Sequence, residues 1–365
     1  MRTRAALLRD PAAPYSLEDI ELGEPRDDEL LVRIVGAGMC HTDLIPRLIP
    51  IFPVPMVLGH EGAGVVEAVG RGITGIAPGD HVVLSFESCG HCARCHTGEP
   101  AYCQHFDQAN TSGLRLDGSA GATSAAGESV ANRWFGQGSF AGHAVATARN
   151  VVPVDKELPL EILAPLGCGI QTGAASVLLA MNVRAGDSIA VFGAGAVGLS
   201  AVMAAAVAGA SEIIAVDLNP GRRELAAELG ATVTYDGADP EIAEKIKDRT
   251  RGGVNYAFDT TGVPGVAVTA LSSLAIRGFL GLVGIGFEEL RINPLLLGGG
   301  RSLSYLLEGG AVPQTFVPRL IDLWQRGKFP FEKLIKTYPL ADIDLAEADA
   351  RKGDTVKPVL LPQQN

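Results

Sequence analysis

Positive charge is in short supply. Lys and Arg number 30 against 41 acidic residues in a chain of 365, a formal charge of −11. No surplus of cations is left to neutralise phosphates, which excludes a nucleic-acid partner. The balance suits an enzyme acting on a small neutral molecule. Cysteine is scarce as well, six residues in all. They fall at 89, 92, 95 and 103 in one cluster, with Cys40 and Cys168 alone. Sparse, clustered cysteine in a long chain excludes a disulfide framework and points to metal ligation in a reducing compartment. The opening segment, MRTRAALLRDPAAPYSLEDIE, lacks an apolar core of signal-peptide length, so a cytoplasmic location is expected. No period of the solenoid kind is present.

What is there is a hydrophobic fraction of 47%, enough for a sizeable core and incompatible with a mostly disordered chain. At about 150 residues per domain, the length predicts two or three domains. One uncharged run, residues 189 to 210, is long enough to span a bilayer. Its β-prone start, its glycines at 193, 195 and 198 and the strand-like EIIAVD that follows predict instead a buried strand, a glycine turn and a buried helix. No membrane association is expected.

Residues 1 to about 170 read as an irregular, mostly β domain, with short β-prone runs separated by turn signals such as Pro78-Gly79-Asp80. Within it, residues 117 to 132 are small and polar and predict a surface loop. From 171 to 306 the pattern alternates. Strand-like SIAVFG, EIIAVD, NYAFDT and GFLGLVGIG are interspersed with helix-like runs at 198–209, 221–229 and 240–248, which implies a doubly wound parallel sheet. The tail, 307 to 365, returns to mixed composition and ends in the β-prone VKPVLL. The expected architecture is a catalytic domain from 1–170 and 307–365, with a nucleotide domain of 171–306 inserted between.

Gly193-Ala-Gly195-Ala-Val-Gly198 fits G-x-G-x-x-G between a strand and a helix, the context in which that pattern cradles a dinucleotide pyrophosphate. Asp217 ends the next strand-like run. A carboxylate there accepts bonds from ribose hydroxyls and repels a 2′-phosphate, so NAD is expected over NADP. Arg222 and Arg223 follow closely and are the residues able to accommodate that phosphate.

Cys89-x2-Cys92-x2-Cys95-x7-Cys103 offers four thiolates in one short lobe, the donor set of a closed, structural zinc site. Ferredoxin spacing begins alike but continues x3-C-P, and no second cysteine group accompanies it. Cys40, His60 and Cys168 form a second candidate set, separated too widely for spacing to decide. Their settings are Gly38-Met-Cys40-His41-Thr42-Asp43, Gly59-His60-Glu61-x2-Gly64 and Gly167-Cys168-Gly169-Ile-Gln-Thr172-Gly173.

These motifs together resemble the zinc-dependent medium-chain alcohol dehydrogenases over nearly the whole chain. The resemblance implies a GroES-like catalytic domain and a Rossmann domain, with the active site in the cleft between them. It implies that Cys40, His60 and Cys168 hold a catalytic zinc, that Glu61 is the carboxylate able to approach it, and that Asp43 orients His60. Cys89, Cys92, Cys95 and Cys103 would hold the structural zinc. Thr42 would pass on the substrate proton, and Thr172 with Val283, Gly284 and Ile285 would line the nicotinamide. His41 stands where some relatives place a phosphate-binding Arg, and Lys357 loosely matches another phosphate position. Ile45 stands where many relatives have the relay His.

Trp134-Phe135-Gly-Gln-Gly-Ser-Phe140, Glu308-Gly and Phe329-Pro-Phe-Glu-Lys-Leu-Ile335 look most like the benzyl or aryl-alcohol subgroup. By that analogy Trp134 and Phe135 wall the substrate pocket. The implied reaction is reversible oxidation of a primary aromatic or allylic alcohol to its aldehyde. The alternatives are a polyol or broad-range aliphatic alcohol dehydrogenase of the same superfamily, and a non-enzymatic zinc protein that senses NAD. The resemblance also implies a homodimer or homotetramer.

Overall fold

The computed structural model describes residues 1–49 and 51–363. Among them the strands form three sheets. Contacts within the chain divide it into two units. The first is Met1–Cys168, Val312–Leu320 and the stretch from Glu332 onward; the second is Gly169–Ala311 and Ile321–Phe331. The crossing therefore falls at Cys168, just before the expected 170, and the second unit also takes 307–311 and 321–331 from the tail. The helix Pro313–Gln325 is shared between them.

In the first unit, Glu29–Gly38 is the spine. It pairs antiparallel with Glu61–Val69, His143–Thr147 and Lys357–Leu361. Leu30, Val32 and Ile34, which share one face of it, are fully buried, while Arg33 and Val35 on the other face are half-buried, so one face of the strand forms core. The pairing sets Gly38 against Glu61, which brings the Cys40 segment beside the His60 segment. A Cβ at Gly38 would lie 2.1 Å from Glu61 Oε2, so a side chain there is excluded. A second sheet contains the hairpin of Arg2–Leu8 with Ser16–Leu22. The expected loop 117–132 contributes to it, because Ala122–Ser124 pairs with Ser129–Val130 and with Ser16–Leu22. Its buried Ala122, Ser124 and Val130 are too short an alternation to stand out from turn residues.

In the second unit, six parallel strands run in the order Val233–Asp236, Glu212–Asp217, Ser188–Phe192, Val254–Asp259, Leu274–Leu282 and Ser302–Tyr305. Ile189–Phe192 and Ile213–Val216 are buried throughout, as parallel strands covered on both faces must be. The helix Ala196–Ala208 starts at Gly195 and stops at Gly209, which takes the left-handed conformation (φ +78). At 13 residues it falls short of a bilayer span, and among the described residues no single helix is long and apolar enough to cross a membrane. The expected helices appear as Ala196–Ala208, Pro220–Glu228 and Ile242–Thr250. Pro220–Glu228 begins where Asn219 Oδ1 accepts from the Gly221 and Arg222 amides, an N-cap. The sequence reading missed Pro264–Ser272 and the short strands Val233–Asp236 and Ser302–Tyr305.

Candidate active site and metal centres

The last residues of Glu29–Gly38 deliver Cys40, and the first of Glu61–Val69 follow His60 directly. Cys168 comes after the short turn Ala164–Gly167, which sits tightly on the sheet. A Cβ on Gly167 would meet Leu84 O at 2.0 Å. One ligand atom each from Cys40, His60, Glu61 and Cys168 thus falls within a 4.8 Å cluster.

His60 is fully buried, and its Nδ1 lies 2.7 Å from Asp43 Oδ1. A carboxylate only accepts, so Nδ1 is the donor. Nε2 is buried with no hydrogen-bond partner, a costly state unless something else meets it. Burial opposes charge on the ring, but Asp43 and Cys40 outweigh it and hold His60 well above the ordinary imidazole range. The hydrogen bond with Cys168 pulls the Cys40 thiol well below its ordinary value, against the effect of burial. Two thiols and an imidazole whose buried Nε2 lacks a hydrogen-bond partner, gathered within 4.8 Å, fit a tetrahedral divalent ion with one open position.

Glu61 is paired with Lys357, whose Nζ lies 2.9 Å from both carboxylate oxygens and donates also to Met39 O at 3.1 Å. Both side chains are buried. Lys357 is therefore committed to Glu61 rather than exposed toward a phosphate, which corrects the loose expectation for it. His41 is exposed, and Thr42 Oγ1 lies 3.8 Å from Cys40 Sγ.

The four clustered cysteines sit around one point. Cys92 Sγ is 3.6 Å from Cys95 Sγ and 3.9 Å from Cys103 Sγ, and Cys89 Sγ is 4.0 Å from Cys95 Sγ. Sulfurs about 2.3 Å from a common tetrahedral centre stand about 3.8 Å apart, so these distances fit a zinc ion. Amides of Cys89, Cys92, Gln104 and His105 point at the sulfurs. Backbone amides of Cys95 and Gln104 lower the Cys92 thiol to about 6, whereas burial pushes Cys103 up to about 12.

In the second unit, Gly193 (φ +91) makes the turn, and a Cβ on Gly198 would lie 1.8 Å from Gly193 O. A Cβ on Gly195 would meet nothing within 4 Å. The open space over Gly195 is what a pyrophosphate approaching the backbone requires. Asp217 Oδ2 accepts from Ala194 N (2.7 Å) and Oδ1 from Asn219 N (2.7 Å), so its carboxylate is fixed at the turn. Arg223 is occupied, donating to the carbonyls of Asp217 and Leu218. Thr172 Oγ1 donates to buried Glu308 at 3.0 Å. Val283 and Gly284 are held by Asp259 O and by the Tyr305 hydroxyl, and Ile285 beyond them is exposed.

The sequence matches the alcohol dehydrogenase GroES-like domain over residues 26–156 and the zinc-binding dehydrogenase domain over 196–324. The chain belongs to the zinc-dependent medium-chain alcohol dehydrogenases. This alcohol dehydrogenase is 43% identical to a geraniol dehydrogenase of Castellaniella defragrans, over 98% of this chain and 97% of that protein. An alcohol dehydrogenase zinc-binding domain protein of Burkholderia ambifaria matches the structure with a TM-score of 0.97 at 48% identity, over 100% of both chains. The benzyl alcohol dehydrogenase of Acinetobacter calcoaceticus matches with a TM-score of 0.93 at 42% identity, over 99% of both. The expected GroES-like and Rossmann pair is the fold of this dehydrogenase.

Trp134 and Phe135 of the alcohol dehydrogenase lie beside His60. Trp134 is fully buried and donates from Nε1 to Asp43 Oδ1 at 3.1 Å. Phe135 stacks on the imidazole with ring centroids 4.4 Å apart. Sequence reasoning missed Gln137, whose amide bonds to His60 O, Ser85 O and Gly62 N, and missed Lys357 as the partner of Glu61. Nothing in the sequence told which buried atoms this segment faces.

Proposed function

We propose that this dehydrogenase catalyses reversible, NAD-linked oxidation of a primary aromatic or allylic alcohol to its aldehyde. The observation that carries the reading is the unpartnered Nε2 of buried His60 facing two thiols and a carboxylate within one 4.8 Å cluster. Cys40, His60 and Cys168 would hold the catalytic zinc, and Cys89, Cys92, Cys95 and Cys103 the structural one. When bound, zinc lowers the pKa of an alcohol hydroxyl and the nicotinamide takes up a hydride.

The protein's own residues do the rest. Asp43 fixes the tautomer and tilt of His60. Thr42, next to Cys40 in space, accepts the substrate's hydroxyl proton. Ile45 carries no proton further, so the onward path from Thr42 would pass a cofactor ribose hydroxyl and end at solvent or another base. Gly193, Gly195 and Gly198 give the pyrophosphate its approach, and Asp217 accepts from the ribose and repels a 2′-phosphate. Thr172, Val283, Gly284 and Ile285 would border the nicotinamide, and His41 would meet the phosphates of the dinucleotide. Phe135, stacked on the imidazole, makes the surroundings of His60 apolar, which favours a flat or unsaturated alcohol over a polyol. Trp134 is fully buried and turned to Asp43, so it backs that surface and is not the pocket wall expected of it. The similarity to proteins described as geraniol and benzyl alcohol dehydrogenases supports the same class.

The exposed edge strand Ser302–Tyr305, with exposed Ile276 and Leu295 in the same unit, supports edge-to-edge pairing of two copies, as a homodimer or within a homotetramer. Sparse cysteines clustered at metal-ligand spacing support a cytoplasmic location.

The test is a panel of benzyl alcohol, geraniol, ethanol and sorbitol, read by NADH absorbance and repeated with NADP. Benzyl alcohol and geraniol with NAD are expected to give the highest kcat/KM. Preference for ethanol overturns the aryl and allylic assignment, preference for sorbitol installs the polyol reading, and no turnover by zinc-loaded protein leaves the non-enzymatic sensor.

A further inference from the structure

The segment Trp134–Gln137 contributes no atom to the candidate metal cluster, yet it touches His60 from three directions. Trp134 Nε1 donates to the Asp43 oxygen that also accepts from His60 Nδ1 and Gly59 N. The Phe135 ring lies on the imidazole at an interplanar angle of 28°. Gln137 Nε2 donates to His60 O at 2.9 Å and Ser85 O at 3.0 Å, while its Oε1 accepts from Gly62 N at 2.9 Å. Trp134 and Gln137 are fully buried.

The backbone is bent to make these contacts. Phe135 (φ +50), Gly136 (φ +70) and Gly138 (φ +63) are all in the left-handed region. A Cβ on Gly138 would collide with Asn132 O at 2.5 Å, so the turn cannot accept another residue there. A phenylalanine in this conformation is uncommon and is kept only where the surroundings enforce it. Here what enforces it is the stacked ring of His60 on one side and the edge of Phe106, at 6.3 Å between centroids, on the other.

We propose that the Trp134–Gln137 turn is a positioning clamp for His60. It fixes the imidazole by its face, by its backbone carbonyl and, through Asp43, by its Nδ1. Retention of the catalytic metal thereby depends on a segment that supplies no ligand. Removing the Trp134 N–H frees one side of the Asp43 carboxylate, and an imidazole with an unsteady partner lets its metal go sooner. Groups that steady a metal-binding histidine in this way change metal affinity by about 10–100-fold. This inference rests on the proposed catalytic zinc.

The experiment uses zinc-loaded holoenzyme and a chromogenic chelator, so that release of each zinc is timed independently of turnover. Trp134→Phe keeps a ring in the core and deletes the N–H; Gln137→Met keeps the length and deletes three hydrogen bonds. In each, one zinc is expected to leave about tenfold faster or more, the other at the wild-type rate, with NAD affinity unchanged. Release of both ions at wild-type rates overturns the clamp. Equal acceleration of both also overturns it, because that is general loosening. Should either variant fail to fold, the Trp324→Phe protein, in which Trp134 is the sole tryptophan, carries the test. Its emission is expected to shift when the faster-exchanging zinc is removed, and an unchanged spectrum overturns the clamp. A wild-type protein that binds only one zinc refutes the catalytic-metal reading itself, and the two failures are thus distinguishable.

Discussion

Asp43 and His60 are both fully buried and joined at 2.7 Å, and the Asp43 carboxylate also collects the N–H groups of Cys40, Gly59 and Trp134. Four donors meet two oxygens, so the site has no room for a donor in place of either. Asp43→Asn turns one oxygen into an amide that faces donors. We expect kcat/KM to fall about 10–100-fold and zinc content to drop from two towards one. Metal analysis and steady-state kinetics on the same preparation check both.

Cys40→Ser replaces a thiolate by a hydroxyl that ionises far less readily. Turnover is expected to vanish, while NAD affinity, measured by fluorescence titration, stays close to wild type. Near-normal turnover would mean that Cys40 is not a metal ligand.

Lys357 and Glu61 form a buried ion pair. Breaking such a pair from one side leaves an uncompensated charge and costs about 3–5 kcal/mol. Lys357→Met is expected to lose that amount in urea unfolding, and Lys357→Met with Glu61→Gln to regain most of it. A single variant as stable as wild type would show that the carboxylate is neutral or otherwise satisfied.

The cysteine lobe has a pH signature. Zinc binds thiolates, so its capture releases protons and its affinity rises with pH. Cys92 lowered to about 6 and Cys103 pushed up to about 12 mean that, without metal, protons hold Cys103 throughout the neutral range and reclaim Cys92 below about 6. Chelator should strip this zinc faster at pH 5 than at pH 8. In native holoenzyme, thiol titration should find almost nothing until chelation. Ready titration of four or more thiols would refute the two-site division.

Asp217→Asn removes a fixed negative charge while keeping one acceptor for the Ala194 or Asn219 amide. The preference for NAD over NADP should fall about tenfold, or about 1.4 kcal/mol, measured as the ratio of kcat/KM values. An unchanged ratio would place discrimination elsewhere.

The sequence by itself determined a good deal. Cys89, Cys92, Cys95 and Cys103 are close enough in the chain for their spacing to specify a site, and Gly193 to Asp217 spans one strand–helix–strand unit whose order fixes its geometry. Such local patterns survive being read in one dimension. Cys40, His60 and Cys168 could be joined in sequence only by resemblance, because sheet register brings them together: Gly38 opposite Glu61, and Gly167 with no room for a side chain against Leu84.

Tertiary structure alone decided what Trp134, Gln137 and Lys357 touch. Resemblance placed Trp134 and Phe135 at the pocket wall, and only the left-handed backbone of Phe135 aims one ring at His60 and the neighbouring indole at Asp43. Lys357 matched, loosely and by resemblance, a phosphate position, and lysine is rarely buried. It is buried because the strand Lys357–Leu361, paired with Glu29–Gly38, brings its ammonium to a carboxylate nearly 300 residues away in the chain (|i−j| = 296), and a charge leaves water only when such a partner is in place.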